Sequence, residues 1–360
     1  MKHRILFSLS ILSVLSLISC NYESKNNEIP TIDLYGQIDT SSCNHLDQSA
    51  WNVKEINLNL TDSTIFSNIE IDKVEGDDVW VNDYKGVYHF SAATGNCTSI
   101  LSKRGQGPDE YQSILCARIL ASGNIAINDF NTKNILLYHP DGNFITRNKK
   151  EFGDLVATGN DITTLSFPGY CKAGAMAYKL NSDLVATDSL LLGRDRETTK
   201  GFLHMLPLYE MNGKPYLQFQ DTIFSLEDMS NKKPLVSLYT GALHIPEEVE
   251  DDFKRTSEWS NYINSLFATI WKSLIFIKYS YGENTYYDIW DIDKEKLIYR
   301  SKGTFATVDK GFPIKLSDGS EVFVWPQYSD ENSLIGLIPA ETDSPTDDEQ
   351  NPRIFVISQK

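Results

Sequence analysis

Two stretches of this chain repeat one pattern. Val79-Trp80-Val81-Asn82-Asp83-Tyr84 is echoed by Ile125-Ala126-Ile127-Asn128-Asp129-Phe130. Each is followed by a second short apolar run, a Gly-Asn turn (Gly95-Asn96, Gly142-Asn143) and a third run. A repeat of roughly 40–50 residues built only of short strands marks a β-propeller blade, a sheet that cannot bury its apolar faces alone. The constraint is strong, because such a chain must stack its sheets side by side.

The second unit displays the pattern most fully. Ile125–Asn128, Ile135–Tyr138 and Phe144–Thr146 are strand-like runs, separated by Asn131–Asn134 and the hairpin turn Pro140-Asp141-Gly142-Asn143. Weaker copies follow as Asp161–Leu165, Met176–Leu180 and Leu184–Thr187, then Pro215–Phe219, Thr222–Leu226 and Leu235–Leu238. Leu274–Ile277, Tyr286–Trp290 and Leu297–Tyr299 make a fifth set, and Leu334–Ile338 with Ile354–Ile357 a sixth. With Val79, Ile125, Ile162, Tyr216, Ile275 and Ile335 as markers of six units, the expectation is an all-β, six-bladed β-propeller. The last unit lacks an outer strand, and Pro30-Thr31-Ile32-Asp33-Leu34 is expected to fill it. That pairing of N- and C-terminal strands would remove a free sheet edge. Pro246–Phe253 reads as a short helix with Pro at its start, and Thr342–Glu349 as an acidic, solvated hairpin tip.

The N-terminus has a different character. Lys2, His3 and Arg4 precede Ile5–Ile18, an apolar run too short to cross a bilayer, which takes about 20 residues. This is the layout of a secretory signal, and Leu17-Ile18-Ser19-Cys20 is similar to the bacterial lipobox. Residues 1–19 are therefore expected to be a lipoprotein signal peptide, with Cys20 the lipidated residue. Residues 20–27 are a polar, flexible tether and residues 28–360 the propeller domain. Asn21 lacks the aspartate that retains enterobacterial lipoproteins at the inner membrane. The expected address is thus the cell envelope at the outer membrane, periplasmic or surface-facing.

A net charge of −16, from 33 Lys and Arg against 49 Asp and Glu, excludes nucleic acid as the natural partner. Beyond the signal lie Cys43, Cys97, Cys116 and Cys171, without a C-x-x-C pair. Either disulfides or buried free thiols suit an envelope protein, and a closed ring of this size favours the thiols. His45, His89, His139, His204 and His244 stand singly, so no metal site is indicated. Asp291-Ile292-Asp293 begins like a calcium loop but reads better as a hairpin turn, lacking the third acid and the Gly. No cofactor motif and no G-x-S-x-G elbow is present.

The most distinctive segment is Lys103-Arg104-Gly105-Gln106-Gly107-Pro108-Asp109-Glu110-Tyr111, which crosses from the first unit to the second. Its glycines and Arg104 could grip an anion near the channel mouth, or the segment could simply be a crossing that needs flexible, then stiff, residues. Arg104, Gln106, Tyr111, Trp325 and Tyr328 are the candidate binding residues. Most of the 17 Phe, 18 Tyr and 6 Trp should pack between blades.

With Val79–Asp83 before it and Ile125–Asp129 after it, Arg104–Tyr111 resembles the six-bladed β-propeller lipoproteins of Bacteroidetes, relatives of NHL-type propellers. Asp221–Phe224, Trp325-Pro326-Gln327-Tyr328 and Asn351–Val356 also look like that family. The resemblance implies a protein on the outer side of a Gram-negative cell and brings no catalytic residues with it. The expected function is non-catalytic capture of a glycan, a peptide or an envelope protein, with the membrane engaged through the anchor. The alternative is a propeller enzyme, such as a glycan lyase or lactonase, with acids in its central channel. A cluster of ionisable side chains converging there would favour the enzyme.

Overall fold

The computed structural model describes residues 29–59, 61–66, 68–150, 152–166, 175–193, 208–211, 213–219, 221–250, 252–339 and 351–360. The expected signal and tether, Cys171 and the acidic segment 342–349 lie outside the described residues. The molecule is all-β. Three N-terminal strands, β1 (Thr31–Asp33), β2 (Cys43–Asn44) and β3 (Trp51–Asn57), come first. Antiparallel meanders follow: β4 to β7 (Glu70–Glu75, Asp78–Asn82, Val87–Ser91, Cys97–Leu101), then β8 to β11 (Ile114–Ile119, Ile125–Asp129, Ile135–Tyr138, Phe144–Asn148). The third is β12 to β15 (Phe152–Thr158, Asp161–Ser166, Ala175–Leu180, Ala186–Gly193). The fourth is β16 to β19 (Leu208–Met211, Lys214–Phe219, Thr222–Ser225, Lys233–Tyr239), and the fifth β20 to β23 (Asn264–Trp271, Leu274–Tyr281, Asn284–Asp291, Lys296–Thr304). Last come β24 (Phe312–Lys315), β25 (Glu321–Ser329), β26 (Ser333–Ile338) and β27 (Arg353–Gln359). A short helix at Glu247–Glu250 follows Pro246, as its sequence suggested, and a 3₁₀ segment over Phe253–Asn261, which the sequence did not announce, comes after it.

The middle strands are apolar on both faces because each is covered on both sides. In β9 and β10, Ile125, Ile127, Leu136 and Tyr138 face the first meander, whereas Ala126, Ile135 and Leu137 face the third. Continuous burial explains why these strands read as unbroken apolar runs instead of alternating ones. Six apolar clusters form in this way, each between two successive meanders. The cluster built from Ile56, Val79, Val81, Phe90, Ile335 and Ile354 joins the last meander to the first.

The marker residues Val79, Ile125, Ile162, Tyr216, Ile275 and Ile335 lie on the second strands, β5, β9, β13, β17, β21 and β26. Of the first strands, β4, β8, β12, β16 and β25 carry charge, and β20 carries polar Asn264, Ser265 and Thr269, so the apolar signature is weaker there. One expectation is corrected: Pro30–Leu34 does not complete the last sheet. Ile32 pairs in parallel with Leu238 of β19, and Ile32 and Leu34 sink into the cluster between the fourth and fifth meanders. The strand beside β27 is β3, antiparallel, with Ile354 opposite Ile56. Apolar Trp51 and Ile56 supply the inward-facing side chains that this edge requires.

The N-terminal segment is thus a strap laced along the outer edges of three meanders: β1 on β19, β2 on β23 and β3 on β27. A fully buried ion pair holds it. Arg300 Nε donates to Asp288 Oδ1 at 2.8 Å and its Nη2 to Tyr279 Oη at 2.9 Å, while Nη1 donates to the carbonyls of Gln37 and Thr40. Burial pushes the Asp288 carboxyl upward and Arg300 opposes it.

Candidate functional site

The first strands of the meanders converge. β4 lies against β8, β8 against β12, β12 against β16, β16 against β20, β20 against β25, and β25 against β4. Near one side the gap closes: Met211 of β16 pairs with Ser329 of β25, Ser329 Oγ donates to the Ile270 carbonyl at 2.9 Å, and the Ile270 amide reaches Met211 Sδ. Five of these strands carry a register shift against their neighbours, at Ile71/Lys73, Ile114/Cys116, Phe152/Leu155, Asn264/Phe267 and Pro326/Tyr328. A bulge re-aims the side chains beside it, which is how polar residues turn away from the apolar clusters.

What they turn towards is an ionisable centre. Arg118 of β8, 13% exposed, donates from Nη1 to Glu70 Oε1 of β4 at 3.0 Å. It stands 3.6 Å from Asp72 Oδ1 and 3.6 Å from Asp154 Oδ1 of β12. Burial works against its charge, but Glu70 and its acidic neighbours outweigh burial and keep the guanidinium protonated. Asp72 is fully buried; Oδ1 accepts from Asn82 Nδ2 at 2.8 Å, and Oδ2 has no hydrogen-bond partner among the described residues. Burial, then the Glu70 charge, pushes this carboxyl well above its usual range. On β16, burial raises the Glu210 carboxyl to about 7, with Arg118 and a hydrogen bond from Tyr328 pulling the other way. Tyr328 Oη donates to Glu210 Oε1 at 3.4 Å. Cys116, also fully buried, has its thiol pushed up by burial and by Asp154, so it is held as an inert thiol. Two aromatic rings stand exposed on neighbouring segments, Tyr84 after β5 and Phe267 on β20.

Of the residues singled out from sequence, Tyr328 reaches this centre. Trp325 does not: its ring packs edge-on against Tyr287 at 4.8 Å and Phe276 at 6.2 Å, on the side of the fifth meander. The bulge between Pro326 and Tyr328 sends the two rings different ways. Tyr111 is wholly buried, edge-on to Tyr138, with its hydroxyl donating to the Lys85 and Leu101 carbonyls. Arg104 and Gln106 are exposed, and Arg104 Nε donates to the Gln112 carbonyl at 2.9 Å. The glycine loop closes on its own anion. The Gly107 amide donates to Glu110 Oε2 at 2.8 Å, and a Cβ on Gly105 would fall 1.8 Å from that oxygen. Glycine leaves room for the Glu110 carboxylate here, and a larger residue at Gly105 would push that side chain aside.

Sequence reasoning missed Glu70, Asp72, Arg118, Asp154 and Glu210. The polar–apolar alternation of Glu70-Ile71-Asp72 was the available signal, and the bulge after it breaks the period. The Asn of the repeat had a role there too: Asn82 holds Asp72, while Asn128 Nδ2 donates to the carbonyls of Phe152 and Gly153 on β12. Asp291 makes the expected turn, accepting from the Lys294 amide at 3.1 Å and its ammonium at 2.5 Å. Cys43, Cys97 and Cys116 are free thiols. Outside the centre, His89 stacks on Trp80 at 4.1 Å and touches Asp78 and Thr98, a cross-strand contact on the first meander.

Antiparallel meanders stacked face to face, with their first strands turned to a shared polar centre, define a β-propeller-like all-β fold. The chain belongs to the family described as Domain of unknown function (DUF4934), whose model matches residues 29–359. It is similar to a solved Bacteroides fragilis NCTC 9343 protein described as exported: 13% identity, 92% of this chain and 99% of that one covered, TM-score 0.65. It is also similar to a DUF4221-family member from Bacteroides vulgatus ATCC 8482, at 9% identity with 87% and 100% covered and a TM-score of 0.52. A virginiamycin B lyase from Staphylococcus aureus aligns at 9% identity over 86% of this chain and 100% of that one, with a TM-score of 0.41. These likenesses concern the fold alone. No curated protein matches the chain. Among the described residues no helix is long and apolar enough to cross a membrane.

Proposed function

We propose that this chain is a lipid-anchored cell-envelope protein, a closed six-bladed β-propeller that captures a ligand at its polar centre. Three observations support the ring: apolar clusters between every pair of successive meanders, contact of β25 with β4, and pairing of β27 with β3. The lipobox-like Leu17–Cys20, together with the likeness to a Bacteroides protein described as exported, supports the envelope address. Labelling with radioactive palmitate should mark the chain and fail in Cys20→Ser; equal labelling of both would remove the anchor.

The observation that carries the binding function is the meeting of Glu70, Asp72, Arg118, Asp154, Glu210 and Tyr328. Buried ionisable groups cost stability unless paired, so a cluster left partly unsatisfied points to a site kept for a ligand. The ligand is a glycan, a peptide or a segment of an envelope protein, and nucleic acid is disfavoured by charge. A thermal-shift screen of the full chain against glycans and peptides should find one class that stabilises the wild type and not Glu210→Gln. A class that stabilises both equally would place binding elsewhere.

A second reading, catalysis, has one specific support. A carboxyl raised to about 7 beside a phenol is suited to moving protons at neutral pH, as a lyase or lactonase needs. Release of a chemically altered ligand, lost in Glu210→Gln and Tyr328→Phe, would establish it.

A further inference from the structure

The ionisable centre is out of electrostatic balance. Four carboxyls, Glu70, Asp72, Asp154 and Glu210, face it from three different strands and from two sides of one guanidinium. Among the described acids Arg118 bonds closely to Glu70 alone, with Nη1 also donating to the Ala117 carbonyl, and its other acidic neighbours stand at 3.6 Å, beyond hydrogen-bond reach. Asp72 Oδ2 is buried with no donor among the described residues, and Glu210 has a single long contact from Tyr328. One exposed aromatic ring, Tyr84, flanks the centre, close enough to Glu70 to feel its charge. Acids short of a counter-charge beside an open aromatic face form the environment that holds an organic cation. A metal ion fits less well, since among the described residues no three such side chains stand close enough to ligate one.

We propose that the centre binds an organic ammonium group, a Lys side chain or peptide amino terminus, or an amino sugar, which supplies the missing positive charge. This deepens the capture function above and rests on it. The ammonium pairs with Glu210 on β16. The groups facing Glu210 are the charged Arg118 from β8, Lys73 from β4 and Asp330 from the sixth meander, and the Tyr328 phenol. Lys73 is already engaged with Glu75 at 2.6 Å. Ligand uptake must therefore ionise Glu210 and release its proton. Affinity rises with pH until Glu210 is ionised without help.

Isothermal titration of the full chain tests this with matched probes: N-acetyl-lysine amide against N-acetyl-norleucine amide, and glucosamine against N-acetylglucosamine. The cationic member of at least one pair should bind; for the lysine pair, whose ammonium stays charged, binding should be about tenfold tighter at pH 8 than at pH 6, the change in ionised fraction for a carboxyl titrating near 7. Which pair responds separates a peptide source from a sugar source. Glu210→Gln should weaken binding and flatten its pH dependence, with the melting curve as the check on folding. Equal binding of the neutral members, lost in Arg118→Lys and Glu210→Gln, would overturn the ammonium and leave capture at the centre standing. A pH slope that survives in Glu210→Gln would also overturn it. If no probe binds, and the variants alter stability alone, both readings fall.

Discussion

Glu210 makes the centre sensitive to acidity even without a ligand. Its folded-state value of about 7 lies above the ordinary 4.5, so the folded protein holds that proton where the unfolded chain has lost it. The stabilising share is complete below the unfolded value and disappears as pH climbs through 7. Stability should therefore fall between about pH 4.5 and 7 by roughly 3 kcal/mol from this group, and Glu210→Gln should remove that portion of the slope. Urea titrations at closely spaced pH values measure it, and an unchanged slope in the variant would refute the assignment. Arg118 works in the opposite sense. Replacing it with Met strands Glu70 and Asp154 beside a buried Asp72, a loss of about 3–5 kcal/mol for a broken buried pair. Arg118→Lys should recover part of this through charge, but not the reach to acids on both β4 and β12. A Met variant as stable as the wild type would show that the guanidinium is dispensable.

Among the elements, the second and third strands of each meander were legible and the first strands were not. Ile125–Asp129 and Ile135–Tyr138 are buried on both faces, so their composition announces them. Glu70–Glu75 and Leu208–Met211 spend one face on the polar centre, and most strands of this kind are bulged, so neither composition nor period survives. The residues of the candidate site lie on the strands that carry the weakest strand signal, and these are one fact seen twice. Of the site, only Tyr328 was visible beforehand. The strap was misread for another reason: Thr31–Asp33 and Trp51–Asn57 are both short, and pairing partners far along the chain leave no local trace. Its parts should differ in weight. Removing residues 29–36 strips Ile32 and Leu34 from one cluster, costing roughly 3–6 kcal/mol, yet leaves every meander four-stranded. Ile56→Asp buries a charge where β3 meets the first and last meanders, and should cost more than about 4 kcal/mol and unseat the strand. Melting temperatures of the two variants rank them; a larger drop for the truncation would contradict this order. Arg300→Ala should loosen residues 37–40 to protease, while the apolar pair Arg300→Met with Asp288→Leu stays near wild-type stability.

For the whole molecule, joining the last meander to the first predicts one cooperative unfolding step. Trp51 and Trp271 report on the cluster between the fifth and sixth meanders, and Trp80 on that between the first and second. Their fluorescence should change together with the far-ultraviolet circular dichroism at one midpoint; separate midpoints would speak for an open stack. The union of β3 with β27 also bears on how the protein is made. Trp51–Asn57 leaves the ribosome long before its partner, Arg353–Gln359. Until that partner emerges, β3 cannot join the last meander to the first. A nascent polypeptide that must wait for both strands stays pliable, and so threadable, for most of the interval between them.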